Sequence, residues 1–303
     1  MEQTDEKVGI IYTASSYLLW GFLPIYWKLL QDVPAGEILA NRIIWSFLFM
    51  LAVILLSRKW RLFVKECKLI VRDKRKLIGI SLASVMISLN WLTYIWAVNN
   101  DHVIQASLGY YINPLVSILL GIIVLKETLA SRELLSFILV GVAVIYLTIS
   151  YGVFPWIALS LAFSFGFYGL LKKTVKIGAM FGLAIETMIV TPLALIYVPL
   201  FTGNTFVQND ILSRTSLLLI GAGIVTAIPL LLFASGAKMI PLSMVGFLQY
   251  IAPTIMLILG VFVYDEKFTT AHLIAFSIIW VALIIYMLGK RKAKAPVKLR
   301  TNR

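Results

Sequence analysis

The chain has 303 residues, 60% of them hydrophobic and only 14% charged, with a mean hydropathy of +0.93 and a net charge of +13. That composition excludes an ordinary soluble domain and places the chain in lipid. The positive charge does not point to nucleic acid, because the Lys and Arg residues are spread over alternate connecting segments and form no single basic face.

Ten apolar runs reach or approach the length of about 20 residues needed to cross a hydrocarbon core of about 30 Å. They lie near 8–30, 36–57, 77–99, 103–125, 133–150, 153–171, 180–201, 214–236, 241–263 and 271–289. The first follows Glu2, Asp5 and Glu6 and is too long for a cleaved signal, so it is expected to stay attached. The second contains Arg42, a charge inside a span, which either snorkels to the nearer interface or faces protein and water along a solute pathway.

Between the second and third runs, Trp60, Phe63, Val64, Cys67, Ile70 and Val71 recur at helical spacing opposite Arg61, Lys65, Lys68 and Arg72. This predicts an amphipathic helix lying on an anionic inner leaflet, with docking of a partner protein as the alternative. Cys67 is the single cysteine, so neither an intramolecular disulfide nor a metal-ligand cluster is expected.

The third run carries Asn90 and Tyr94 one turn apart, with Trp91 and Trp96 beside them. The fourth carries Ser107, Tyr110, Tyr111, Asn113 and Pro114, the seventh Glu186, and the ninth Gln249, Tyr250 and Pro253. Buried amides and phenols need hydrogen-bond partners, so these side chains either line a cavity with aromatic walls or tie helices to one another. Trp27, Trp60 and Trp156 are expected in interfacial aromatic belts. Counting helical rise from opposite faces leaves Arg42 and Glu186 about 12 Å apart in depth. Arg42 is therefore expected near Glu37 and Asp32, and Glu186 near Lys172 and Lys173.

With the amino terminus inside, nine basic residues between Arg58 and Lys76 and seven from Lys290 onward fall in the cytoplasm, whereas Lys28, Arg214 and Lys267 fall outside. Both termini are then cytoplasmic. Tyr111-Ile112-Asn113-Pro114 with Gly121 and Glu127 returns 139 residues later as Tyr250-Ile251-Ala252-Pro253 with Gly260 and Glu266. More faintly, Trp20-Gly21-Phe22 and Lys28 return as Phe165-Gly166-Phe167 and Lys173. A unit of five helices appears twice, and an odd count inverts the second copy, as in secondary transporters. Pro114 and Pro253 then kink equivalent helices, either as parts of a rocking gate or as static bends. Glu127 and Glu266 fall on opposite faces, either as two gates or as solvated turn caps. Ala162 with Gly166, and Ala222 with Thr226, predict close helix contacts and leave a homodimer open.

Five segments carry a resemblance: Trp20-Gly21-Phe22-Leu23-Pro24; Glu37-Ile38-Leu39 with Arg42-Ile43-Ile44-Trp45-Ser46; Asn90-Trp91 with Trp96-Ala97-Val98-Asn99-Asn100; Ala106 to Val116; and Ile185-Glu186-Thr187. The chain resembles a RarD-type member of the EamA branch of the drug/metabolite transporter superfamily over essentially its whole length. The resemblance implies an all-α membrane fold of ten helices in two inverted five-helix repeats, over 1–150 and 151–289, followed by a basic tail over 290–303. It implies a central cavity walled by Trp20, Asn90, Tyr94, Tyr110, Tyr111, Tyr168, Gln249 and Tyr250. It implies a carrier without cofactor or metal that exports small amphipathic metabolites or drugs, since related exporters move amino acids and the RarD type is linked with chloramphenicol. A proton on Glu186 is the candidate coupling ion. An integral membrane enzyme is disfavoured because Asp is scarce in the spans, His102 and His272 stand alone, and no Gly-x-Ser-x-Gly, Walker or His-Glu-x-x-His pattern occurs. A channel or sensor would need more polar positions per span.

Overall fold

A computed structural model describes residues 2–125, 131–151, 154–175, 177–201, 212–236, 239–240 and 248–293. Eleven helices occupy them: α1 Glu2–Lys28, α2 Ala35–Leu56, α3 Trp60–Arg72, α4 Lys74–Asn99, α5 Val103–Leu125 and α6 Ser131–Tyr151. After these come α7 Trp156–Val175, α8 Ala179–Phe201, α9 Arg214–Gly236, α10 Ile251–Phe262 and α11 Thr270–Ala293. Each apolar run coincides with a helix, the ninth only from Ile251 onward within the described residues. Glu6–Lys28, Ala35–Leu56, Lys74–Asn99, Met180–Leu200 and Arg214–Phe233 are long and apolar enough to span a membrane, and four shorter apolar helices accompany them.

The distribution of side chains fits lipid outside and protein within. Leu18, Phe22 and Ile25 of α1 and Leu193, Ile196 and Leu200 of α8 are exposed, whereas Ser16, Asn41, Ser46, Asn90, Thr187 and Thr226 are buried. Such polar groups need partners where water is absent, and Ser46 and Asn90 reach neighbouring helices, while Asn41, Thr187 and Thr226 bond carbonyls of their own.

One compact unit comprises Met1–Leu120 with Trp156–Lys267. Within it α2 packs on α8 and α9, α4 on α7, and α1 on α9 and α10, so helices from early and late in the chain interdigitate. Small residues set these approaches: Ala162, Ala222 and Thr226 are buried, and Gly109 brings α5 against the backbone of α7 at Ala158. The other unit comprises Gly121–Pro155 with Phe268–Arg303, and in it α6 packs on α11.

The amphipathic α3 is present, but its apolar side is divided. Phe63 and Ile70 are buried in the first unit's core, with Phe63 ringed against Phe181 at 5.9 Å, while Trp60, Leu69 and Val71 stay exposed. A single residue separates α3 from α4: the Asp73 carboxylate accepts from the Arg75 and Lys76 amides at 3.0 and 3.2 Å and so caps α4.

Pro114 lies mid-length in α5, as the sequence suggests, whereas Pro253 falls in the first turn of α10, where its missing N–H disturbs no helical bond. Pro24 in α1, Pro192 and Pro199 in α8, and Pro229 in α9 are the further prolines inside helices, and sequence reading did not single them out.

Candidate functional site

The polar side chains proposed as one cavity wall fall into three clusters in the first unit. The first surrounds Arg42. Arg42 is 4% exposed, and its guanidinium carbon stands 4.2 Å from the Trp91 ring and 5.0 Å from the Trp27 ring. Cation–π contact of this kind holds a cation where water is scarce. Trp27 is fully buried and belongs to this cluster rather than to an interfacial belt. The turn Leu29–Pro34 between α1 and α2 sets Trp27 and Arg42 side by side on adjoining helices. Tyr94 and Tyr110, edge to face at 5.8 Å, complete the group.

The second cluster is built on Glu186 of α8, which is 3% exposed. Lys172 Nζ and Tyr168 Oη, both on α7, donate to its two carboxylate oxygens at 2.5 and 3.0 Å. Ile43, Ile87, Ser88, Trp91, Thr187 and Val190 line a narrow recess with it. Trp91 thus adjoins both the cationic and the acidic cluster, a role that its sequence position beside Asn90 does not reveal.

The third cluster is aromatic and joins α1, α5, α9 and α10. Trp20 packs on Tyr17 and Phe233 at 5.3 and 5.7 Å. Tyr111 stacks on Tyr250 at 6.1 Å, and its hydroxyl lies 2.6 Å from Thr254 Oγ1. Ser107 Oγ donates to the Pro253 carbonyl at 2.7 Å, so the two segments that share the Tyr-Ile-x-Pro pattern touch directly. Gln249, half-buried, leads into α10 beside Tyr250.

Asn90 bridges two helices. Its amide nitrogen donates to the Leu161 carbonyl at 3.0 Å and to Ser164 Oγ at 2.9 Å, tying α4 to α7. Asn90→Ala is expected to cost about 1–3 kcal/mol, because it removes two hydrogen bonds of a buried amide at roughly 0.5–1.5 kcal/mol each. Unfolding in nanodiscs measures that loss.

At the end where α1, α4 and α10 finish and α5 begins, three contacts form a latch. Glu266 accepts from the Val103 and Ile104 amides at 2.6 and 2.9 Å, a carboxylate set on the positive start of α5. Asp265 precedes it with φ 50°, a left-handed turn that swings Glu266 back toward α5. Lys28 pairs with Asp101 and stands 5.4 Å from the Tyr264 ring. Glu266 is half-buried and caps the start of α5. Burial raises its pKa, against the opposing pull of the two amides and His102. Glu127, its sequence counterpart, lies outside the described residues.

Buried charge, interdigitated helices and an apolar exterior fit a multi-pass membrane protein. The EamA-like transporter family matches the chain twice, over residues 7–149 and 155–288. A protein of Bacillus subtilis described as the uncharacterized transporter YojE is 47% identical over 298 residues, covering 98% of this chain and 99% of that one. Protein RarD of Escherichia coli K12 is 42% identical, covering 95% and 96%. A crystal structure only 15% identical superposes with a TM-score of 0.61, covering 93% of this chain and 98% of its own, which shows the shared fold. The chain belongs to the EamA-like transporter family, as a RarD-type member.

Proposed function

We propose that this membrane transporter is a secondary active exporter of small amphipathic metabolites or drugs, working by alternating access in a bacterial inner membrane. In this reading two inverted five-helix repeats span the bilayer ten times, with both termini and the basic 58–76 segment on the cytoplasmic side. The observation that carries the proposal is the double family match, combined with packing in which helices of the first matched segment lie chiefly on helices of the second. Two similar halves meeting face to face can rock about a shared solute site.

The latch of Glu266, Lys28 and Asp101 would hold one face closed, and solute would enter from the other. Glu127 would supply the corresponding contact on the opposite face when the halves rock back. Exposed Trp60, Leu69 and Val71 with the basic residues of α3 would rest on anionic lipid. Amino acid derivatives and amphenicol-like compounds are the solutes to try first.

Purified protein in liposomes is expected to show saturable transport, and its absence across amino acid derivatives and amphenicols would sink the carrier reading. Glu186→Gln is expected to abolish the response to a pH gradient. Unchanged transport in that variant would remove the proton role and leave the carrier standing.

A further inference from the structure

Among the described residues Arg42 has no counter-ion. No carboxylate oxygen among them lies within 4.0 Å of it, the two ion pairs there being Lys28–Asp101 and Lys172–Glu186. Its Nε and Nη1 are buried and make no hydrogen bond, and the same is true of Trp27 Nε1 and the Tyr94 hydroxyl in the surrounding cluster. Arg and Trp side chains only donate. The cluster is therefore rich in unused donors, poor in acceptors and positively charged, inside a membrane span where a lone cation is costly.

We infer that the Arg42 cluster is a binding site for the carboxylate of an organic anion, whose apolar or aromatic body packs against Trp27, Trp91, Tyr94 and Tyr110. A guanidinium offers a carboxylate charge together with several in-plane N–H donors, which an ammonium does not match. The neighbouring indoles and phenols supply an apolar wall with few acceptors of their own. Glu186 does not serve as the counter-ion, because Lys172 and Tyr168 already occupy its oxygens. The near-complete burial of Arg42 closes it to lipid headgroups and implies that solute arrives when the halves rock apart. The assignment deepens the carrier reading and rests on it for that access.

The test is calorimetry on the full chain in nanodiscs, comparing 3-phenylpropionate with its uncharged isostere 3-phenylpropanamide at one pH. The carboxylate is expected to bind at least about 10-fold more tightly, and Arg42→Gln to erase that preference. Equal affinities, no binding of the anion, or a preference that survives Arg42→Gln would each overturn the inference. If Arg42→Gln fails to fold, Arg42→Lys carries the test. It is expected to lose about 10-fold in preference because the flat donor set is gone, and an unchanged preference overturns the site. Counterflow of labelled 3-phenylpropionate separates the two readings. Arg42-dependent binding without transport would defeat the carrier and keep the anion site. Transport of neutral solutes by a protein that binds no anion would do the reverse.

Discussion

Lys172→Met is expected to destabilise the protein by about 3–5 kcal/mol, toward the lower end because the lysine is itself partly exposed. The substitution leaves the Glu186 carboxylate, 3% exposed, with the Tyr168 hydroxyl at 3.0 Å in a recess lined also by Ile43, Ile87, Ser88, Trp91, Thr187 and Val190. Glu186→Gln is expected to cost less, about 1–3 kcal/mol, since a neutral amide can still accept from Tyr168. The double variant is expected to recover most of the Lys172→Met loss, because neither charge then remains buried. Denaturant unfolding in nanodiscs reads all three. Losses that simply add in the double variant would show that the pair is uncoupled.

Gly223→Ala is the second large effect. A Cβ at this position in α9 would stand 2.5 Å from the Ser46 nitrogen and 2.6 Å from the Trp45 oxygen, both backbone atoms of α2. Side chains can rotate away from such a clash, but helix backbones must move apart. The expected cost is about 3 kcal/mol or more, near the top of the range for overpacking. Separation would also break the bond from Ser46 Oγ to the Gly223 carbonyl at 3.3 Å. Gly169→Ala is the matched control. Nothing lies within 4 Å of its Cβ, so it is expected to gain about 0.5–1 kcal/mol from reduced backbone freedom in the unfolded chain. Melting temperatures that fall equally in both variants would show that helix propensity, not helix contact, governs these positions.

The two glycines look alike in the sequence, and their difference marks the limit of what was legible there. Apolar run length located ten of the eleven described helices, because lipid requires each backbone polar group to be satisfied within its own segment. Residue spacing exposed α3, and the depth of Glu186 along α8, counted from helical rise, anticipated Lys172 as its neighbour. The Tyr-Ile-x-Pro recurrence singled out two segments that lie in contact, through Ser107 with Pro253 and Tyr111 with Thr254.

Rotation about each helix axis and the choice of neighbour were not legible. Sequence analysis assigned Trp27 to a belt by its position near a helix end, yet the turn after α1 folds it inward against Arg42. Pro253 lies in the first turn of α10, and residues 241–247 of the same apolar run lie outside the described residues. Asn90 shares a span with Tyr94 and faces the same unit, but its amide is spent on α7. Glu266 lies far along the chain from Val103, and only the close approach of α10 to α5 at Gly260 brings that carboxylate to the helix start.

By itself the sequence determined the membrane setting, the helices, the recurrence and which side chains are costly in lipid, since these follow from local hydrophobicity and helical geometry. The tertiary structure decided which of those costly groups are satisfied. Glu186, Asn90 and Glu266 find partners on other helices, whereas Arg42 packs on the Trp27 and Trp91 rings with its Nε and Nη1 unbonded among the described residues. Pairing across helices depends on how they rotate and approach, which close packing of the whole bundle fixes and no single segment encodes.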